Sequence, residues 1–180
     1  ELFSFRCLVM TSWAFASARH YDGRLFRGIA ARMVPMVQTA NTQELANSAW
    51  AFSTAGVRHE RLLAELARKA LQQMADFKPQ ELANMLWALA AGGFFHEEFF
   101  VNAAHAIQFV ELQAQQMANV LWALSRLRPR HPAAQAALLA LLPRCSWMLE
   151  AFKPQELASV ALAAAKCFGR QGAGEPGLEP

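Results

Sequence analysis

One nine-residue phrase recurs along the chain without gaps, and it restricts the fold more than any other feature. It reads Glu44-Leu-Ala-Asn-Ser-Ala-Trp50-Ala-Phe, then Glu81-Leu-Ala-Asn-Met-Leu-Trp87-Ala-Leu, then Gln116-Met-Ala-Asn-Val-Leu-Trp122-Ala-Leu, then Glu156-Leu-Ala-Ser-Val-Ala-Leu162-Ala-Ala. An earlier version, Cys7-Leu-Val-Met-Thr-Ser-Trp13-Ala-Phe, precedes these four. Trp13, Trp50 and Trp87 follow one another at 37 residues, Trp122 comes 35 later and Leu162 40 later. The stretches Phe77 to Ala83 and Phe152 to Ala158 are identical. A period near 37 residues is the mark of a stacked-repeat protein, in which each unit buries its apolar face only against its neighbours.

Each period contains two helical patterns. Leu45, Ala49 and Phe52, and again Leu82, Leu86 and Leu89, are spaced i, i+4, i+7, which puts them on one helix face. Pro79 and Pro154 stand where a first helical residue needs no N–H, and Glu44, Glu81 and Glu156 fall near the positive end of the helix dipole. Asn41 with Glu44 has capping-box spacing. After turns such as Ala55 to His59 and Ala91 to Phe95, a second apolar face follows, Leu62, Leu63, Leu66, Ala67, Ala70 in one unit and Phe99, Phe100, Ala103, Ala104, Ile107 in the next. No stretch alternates with period two. The expected fold is all-α, a right-handed α-solenoid of about five helix-turn-helix units over residues 1–168, its terminal units degenerate. Residues 169–180, rich in Gly and Pro, read as a linker or frayed tail.

Composition agrees with a packed chain. Of 180 residues 54% are hydrophobic and 17% charged, which is too apolar for disorder, and the length needs no disulfide or metal to hold a core. Three cysteines without C-x-x-C spacing, Cys7, Cys145 and Cys167, point to a reduced compartment. The richest apolar run, Ala136 to Leu142, is far short of a membrane span, so a soluble protein is expected. The first residues lack the features of a signal peptide, and the absence of an initiator Met reads as a piece of a longer chain. A net charge of +3 permits an anionic partner without demanding one.

Chemistry-bearing residues are sparse. His59, His96 and His131 each lie nine residues after a repeat Trp, but packed helices stand roughly 8–10 Å apart, too far for three rings to meet at one ion. They read as residues that start each second helix. Nucleophile, phosphate-loop, dinucleotide and metalloprotease motifs are all absent, so no enzyme, metal or cofactor is expected. The face of the first helix beside its leucines is more informative. At 100° per residue it collects Gln43, Asn47, Trp50 and Thr54; Gln80, Asn84, Trp87 and Ala91; Gln115, Asn119, Trp122 and Arg126; and Gln155, Ser159, Leu162 and Lys166. Asn disfavours helix interiors, so its recurrence calls for a partner. Two are open: a neighbouring repeat, giving a ladder that fixes stacking register, or the base edges of a nucleic acid lying in a groove. The Trp residues read as core, because they adjoin the apolar arc. Basic residues cluster at Arg24, Arg27 and Arg32 and at Arg126, Arg128 and Arg130, with none between Lys78 and Arg126; such clusters either hold phosphates or face solvent.

The run Pro79 to Ala90, with the 37-residue period and paired helices, resembles the octotricopeptide-type repeats of algal, dinoflagellate and apicomplexan organelle proteins, including those that carry a RAP domain. It is also similar to the helical repeats of mitochondrial RNA-editing substrate-binding subunits. The likeness runs from residue 2 to about residue 168. It implies a non-catalytic RNA-binding protein of the mitochondrion or chloroplast that serves transcript stability, processing, translation or ribosome structure. Its partners are then single-stranded or ribosomal RNA and neighbouring protein subunits. Gln43, Asn47, Thr54, Gln80, Asn84, Gln115, Asn119, Arg126 and Lys166 are the residues expected to meet RNA. Leu162, Ser159 and Met10 depart from the pattern at the two ends, and no RAP domain is present. The rival reading is a protein-interaction scaffold, which a positive groove would disfavour and an apolar one would favour.

Overall fold

The computed structural model describes residues 3–127 and 131–168, so Arg128, Arg130 and the tail at 169–180 lie outside the described residues. Among those described, nine α-helices and no strand are found: α1 (Phe5–Ser17), α2 (Gly23–Met33), α3 (Thr42–Thr54), α4 (Glu60–Gln72), α5 (Pro79–Ala91), α6 (Glu97–Ile107), α7 (Ala114–Arg126), α8 (Pro132–Leu141) and α9 (Pro154–Phe168). The all-α expectation holds. No described helix is long and apolar enough to cross a membrane.

Helix starts follow the local chemistry of the sequence. Asn41 accepts from the Glu44 N–H at 2.9 Å while the Glu44 carboxylate accepts from the Asn41 N–H at 3.1 Å. Glu81 and Glu156 reach back to the Lys78 and Lys153 N–H groups in the same way, at 3.1 and 2.9 Å. Asp22 accepts from the Arg24 and Leu25 N–H groups, and these bonds, the one from Leu25 foremost, lower its carboxyl below the usual value. His59 and His96 cap the second helices, each ring Nδ1 accepting a backbone N–H, from Leu62 and Phe99. His131 Nε2 lies 3.5 Å from the Glu97 carboxylate. The tight turns after α3 and α5 need a left-handed residue, and Gly56 and Gly93 both supply φ of 66°. In the first unit Arg19 occupies that position at φ 55°.

Helices α1, α3, α5, α7 and α9 pack side by side in chain order, while α2, α4, α6 and α8 form a second layer against them. The core fills the space between the layers. Leu45, Ala49, Phe52, Leu82, Leu86 and Leu89 are all buried there, each large apolar side chain contributing about 1.5–3 kcal/mol. The alanines of the repeat (Ala46, Ala83, Ala118) are buried as well, and their small size lets adjacent first helices approach. Short 3-10 segments at Val34–Thr39, Met74–Asp76 and Leu142–Ala151 connect successive units. Pro35 and Pro143 open two of them, since a ring without an N–H ends the α2 and α8 ladders and tightens the chain. The described array is four helix pairs followed by α9, with no second helix after α9 among the described residues.

Candidate nucleic-acid interface

The stripe read from the sequence forms a continuous polar surface along α3, α5, α7 and α9. Gln43, Gln80 and Gln115 are exposed, and Asn47, Asn84 and Asn119 are half-buried, because each Asn is flanked by residues that turn into the core. Two adjoining depressions follow it. The first, of about 600 Å³, includes Gln43, Asn47, Gln80 and Asn84; the second, of about 520 Å³, includes Gln80, Asn84, Gln115, Asn119, Gln155 and Ser159. Among the described residues no side-chain hydrogen bond ties Asn47, Asn84 or Asn119 to a neighbouring repeat. Other groups fix the register. Ser53 Oγ donates to the Ala88 carbonyl at 2.6 Å, Arg144 to the Gln108 and Val110 carbonyls at 3.2 and 2.8 Å, and Lys166 Nζ to the Ser125 carbonyl at 3.4 Å.

Four groups of side chains lie otherwise than a helix wheel alone places them. The repeat Trp residues are not core: Trp50, Trp87 and Trp122 pack on the core by one face and line the second depression with the other, and Trp13 is 42% exposed. Trp13 stacks obliquely on Trp50 at 6.4 Å and Trp87 on Trp122 at 6.2 Å, whereas Trp50 and Trp87 make no such pair among the described residues. Thr54 turns inward, its hydroxyl buried without a hydrogen-bond partner among the described residues. Lys166 is drawn to the C-terminal end of α7, where free carbonyls attract a cation. Arg126 leaves the amide stripe: its guanidinium lies 5.0 Å over the Trp122 ring and borders the next cleft along the edge.

The electrostatics do not supply the positive groove that would have disfavoured the scaffold reading, and the stripe is polar rather than apolar. Lys78 is the one Lys or Arg among the described residues lining the two depressions, against Glu81, Glu111 and Glu156. Glu81 and Glu156 stand in the first turns of α5 and α9 and Glu111 in the connection that leads into α7, so the acidic side of the surface is the N-terminal edge of the first helices. Gln116 takes the place of Glu in the third repeat and lines both depressions with Gln113, a pair the sequence reading left aside. Cations gather at the opposite edge, where Arg58 of the α3–α4 turn and Arg126 border a cleft floored by Gly93, Phe94 and Phe95. Arg58 and Phe95 were legible only as turn residues, since no periodicity marks them. Burial raises the Cys145 thiol and, more weakly buried, the Cys167 thiol as well, which makes both poorer nucleophiles.

The surface can therefore offer amide donors and acceptors, flanked by indole faces, at a regular step along α3, α5 and α7. No curated protein matches the chain. A family profile does: that of the RNA-editing substrate-binding complex 6 protein, which matches residues 1–132 and so spans α1 to α7 with all three Asn-bearing repeats. This match falls on the editing-complex side of the resemblance and gives no support to the octotricopeptide side. The chain belongs to the RNA-editing substrate-binding complex 6 protein family.

Proposed function

We propose that the chain is a non-catalytic subunit of a mitochondrial RNA-editing complex and that its amide stripe receives single-stranded RNA, bases inward. Family membership supports the mitochondrion over the chloroplast and supports other protein subunits as neighbours. The observation that carries the RNA reading is the set Asn47, Asn84 and Asn119: three equivalent amides, half-buried on one surface, with no protein partner for their side chains among the described residues. An amide placed so has unused donor and acceptor capacity suited to base edges. Few cations line the stripe, so affinity rests on amides and indoles more than on counterion release, and a short RNA binds weakly.

The test is Asn84→Ala combined with Asn119→Ala. Loss of two base contacts is expected to lower affinity for an unstructured RNA by at least about tenfold, with melting temperature and helix content unchanged. A variant that melts early yet binds RNA normally would return these residues to the structural-ladder role and the protein to the scaffold reading. That second reading has its own support in Phe109 and Trp147, 87% and 90% exposed, which suit contact with another subunit.

A further inference from the structure

The cleft at the turn edge has a composition that the amide stripe lacks. It holds about 470 Å³ and draws on three successive units: Arg58 from the second, Gly93 and Phe95 from the third, Arg126 from the fourth. Phe95 is 42% exposed and lies flat against Phe100 at 5.0 Å between centroids, so the ring is held from behind and presents its other face. Glu60 takes the Nε side of Arg58 at 2.5 Å, which orients the guanidinium and leaves its terminal nitrogens free of that contact. One of these, NH1, stands 3.6 Å from where a Cβ on Gly93 would be. That is an ordinary van der Waals distance, so the guanidinium rests directly beside Gly93, and the glycine itself is called for by the positive φ of the turn. Arg126 is fixed over Trp122 at 5.0 Å.

We infer that this cleft binds one nucleotide of an RNA strand, its base against Phe95 and its phosphate between Arg58 and Arg126. The polarity of the surface supplies the reason. Glu81, Glu111 and Glu156 outnumber Lys78 at the N-terminal edge of the first helices, whereas Arg58 and Arg126 outnumber Glu60 in the turn-side cleft, so a strand whose bases face the amides keeps its phosphates on the turn side. The inference rests on the RNA reading above and gives it a direction: the backbone runs along the turns. A free mononucleotide offers the same chemistry as a nucleotide within a strand, so the test includes both.

Fluorescence anisotropy of the chain with an unstructured labelled oligouridylate, repeated over a salt series, gives affinity and salt dependence together. Arg58→Gln with Arg126→Gln is expected to reduce the slope of log affinity against log salt by about 0.7, the one single-strand phosphate that the two guanidiniums share. Phe95→Leu is expected to weaken binding by about tenfold while leaving that slope unchanged. All three residues are solvent-exposed, and an unchanged melting temperature certifies each variant. RNA binding with an unaltered slope in the double variant overturns the cleft and leaves the stripe standing. Adenosine monophosphate that raises the melting temperature of the parent but not of the double variant, with no change in RNA slope, overturns the strand assignment in favour of a mononucleotide site. Failure of the parent chain to bind the oligonucleotide at low salt overturns the RNA reading itself.

Discussion

Arg19 shows how strictly one position in the unit is defined. The turn from first to second helix closes with a bond from the residue after the left-handed one: Val57 N–H to Phe52 carbonyl at 3.0 Å, Phe94 N–H to Leu89 carbonyl at 2.9 Å, and His20 N–H to Phe15 carbonyl at 3.0 Å. Two of the three left-handed residues are glycine, and the third is Arg19, whose Cβ meets the following carbonyl. Arg19→Gly is therefore expected to stabilise the protein, by about 1 kcal/mol, in chemical denaturation. No change or a loss would mean that the Arg19 side chain makes a compensating contact. The turn itself was legible in the sequence at Gly56 and Gly93, because glycine announces a positive φ; the same conformation at Arg19 was not, since nothing in arginine does. Asn47, Asn84 and Asn119 were legible as a set for a related reason: polar residues repeated inside a helix stand out against its propensity, and a wheel suffices to place them on one face.

At the scale of the element, equivalent helices differ in what covers them. Leu82 in α5 is 3% exposed and Leu157, at the matching place in α9, is 37% exposed, because α7 and α6 cover α5 where nothing described covers that side of α9. Leu82→Ala is expected to cost about 2–5 kcal/mol and Leu157→Ala less than about 1 kcal/mol, read as shifts in urea midpoint at constant slope. Equal losses would show that α9 is covered in solution by something else. Helix starts and periods were plain from Pro79, Pro154 and the Glu residues that cap backbone N–H groups. Less plain were the 3-10 connectors, since the tightening of Leu142–Ala151 is imposed by Pro143 and by Arg144 bonding across to the α6–α7 connection, a contact that no local pattern announces. The indoles were misplaced because a helix wheel gives direction but not depth: the arc that Trp50, Trp87 and Trp122 share with the leucines ends at the surface.

Across the whole molecule, the linear order of the repeats became the spatial order of the helices, which is why a period alone sufficed for the fold class. Charge distribution could not be read the same way. Glu81 and Glu156 are 75 residues apart and Arg58 and Arg126 are 68 apart, yet stacking brings the first pair to one edge and the second to the other once the units are placed side by side. The pairing of the repeat indoles has an optical consequence. Two indole transition dipoles held about six ångströms apart and inclined at 37° for Trp13 and Trp50, and at 34° for Trp87 and Trp122, couple and split into bands of opposite rotational strength. The far-ultraviolet circular dichroism of the chain should carry such a couplet, weakened by about half when either Trp13 or Trp122 is replaced by Phe and abolished when both are. A spectrum unmoved by those replacements would mean that the indoles do not stack. Each couplet spans a different junction, first unit to second or third to fourth, while the junction between second and third is silent; the two single variants thus turn the protein into a gauge that reports, junction by junction, where the stack parts when it melts.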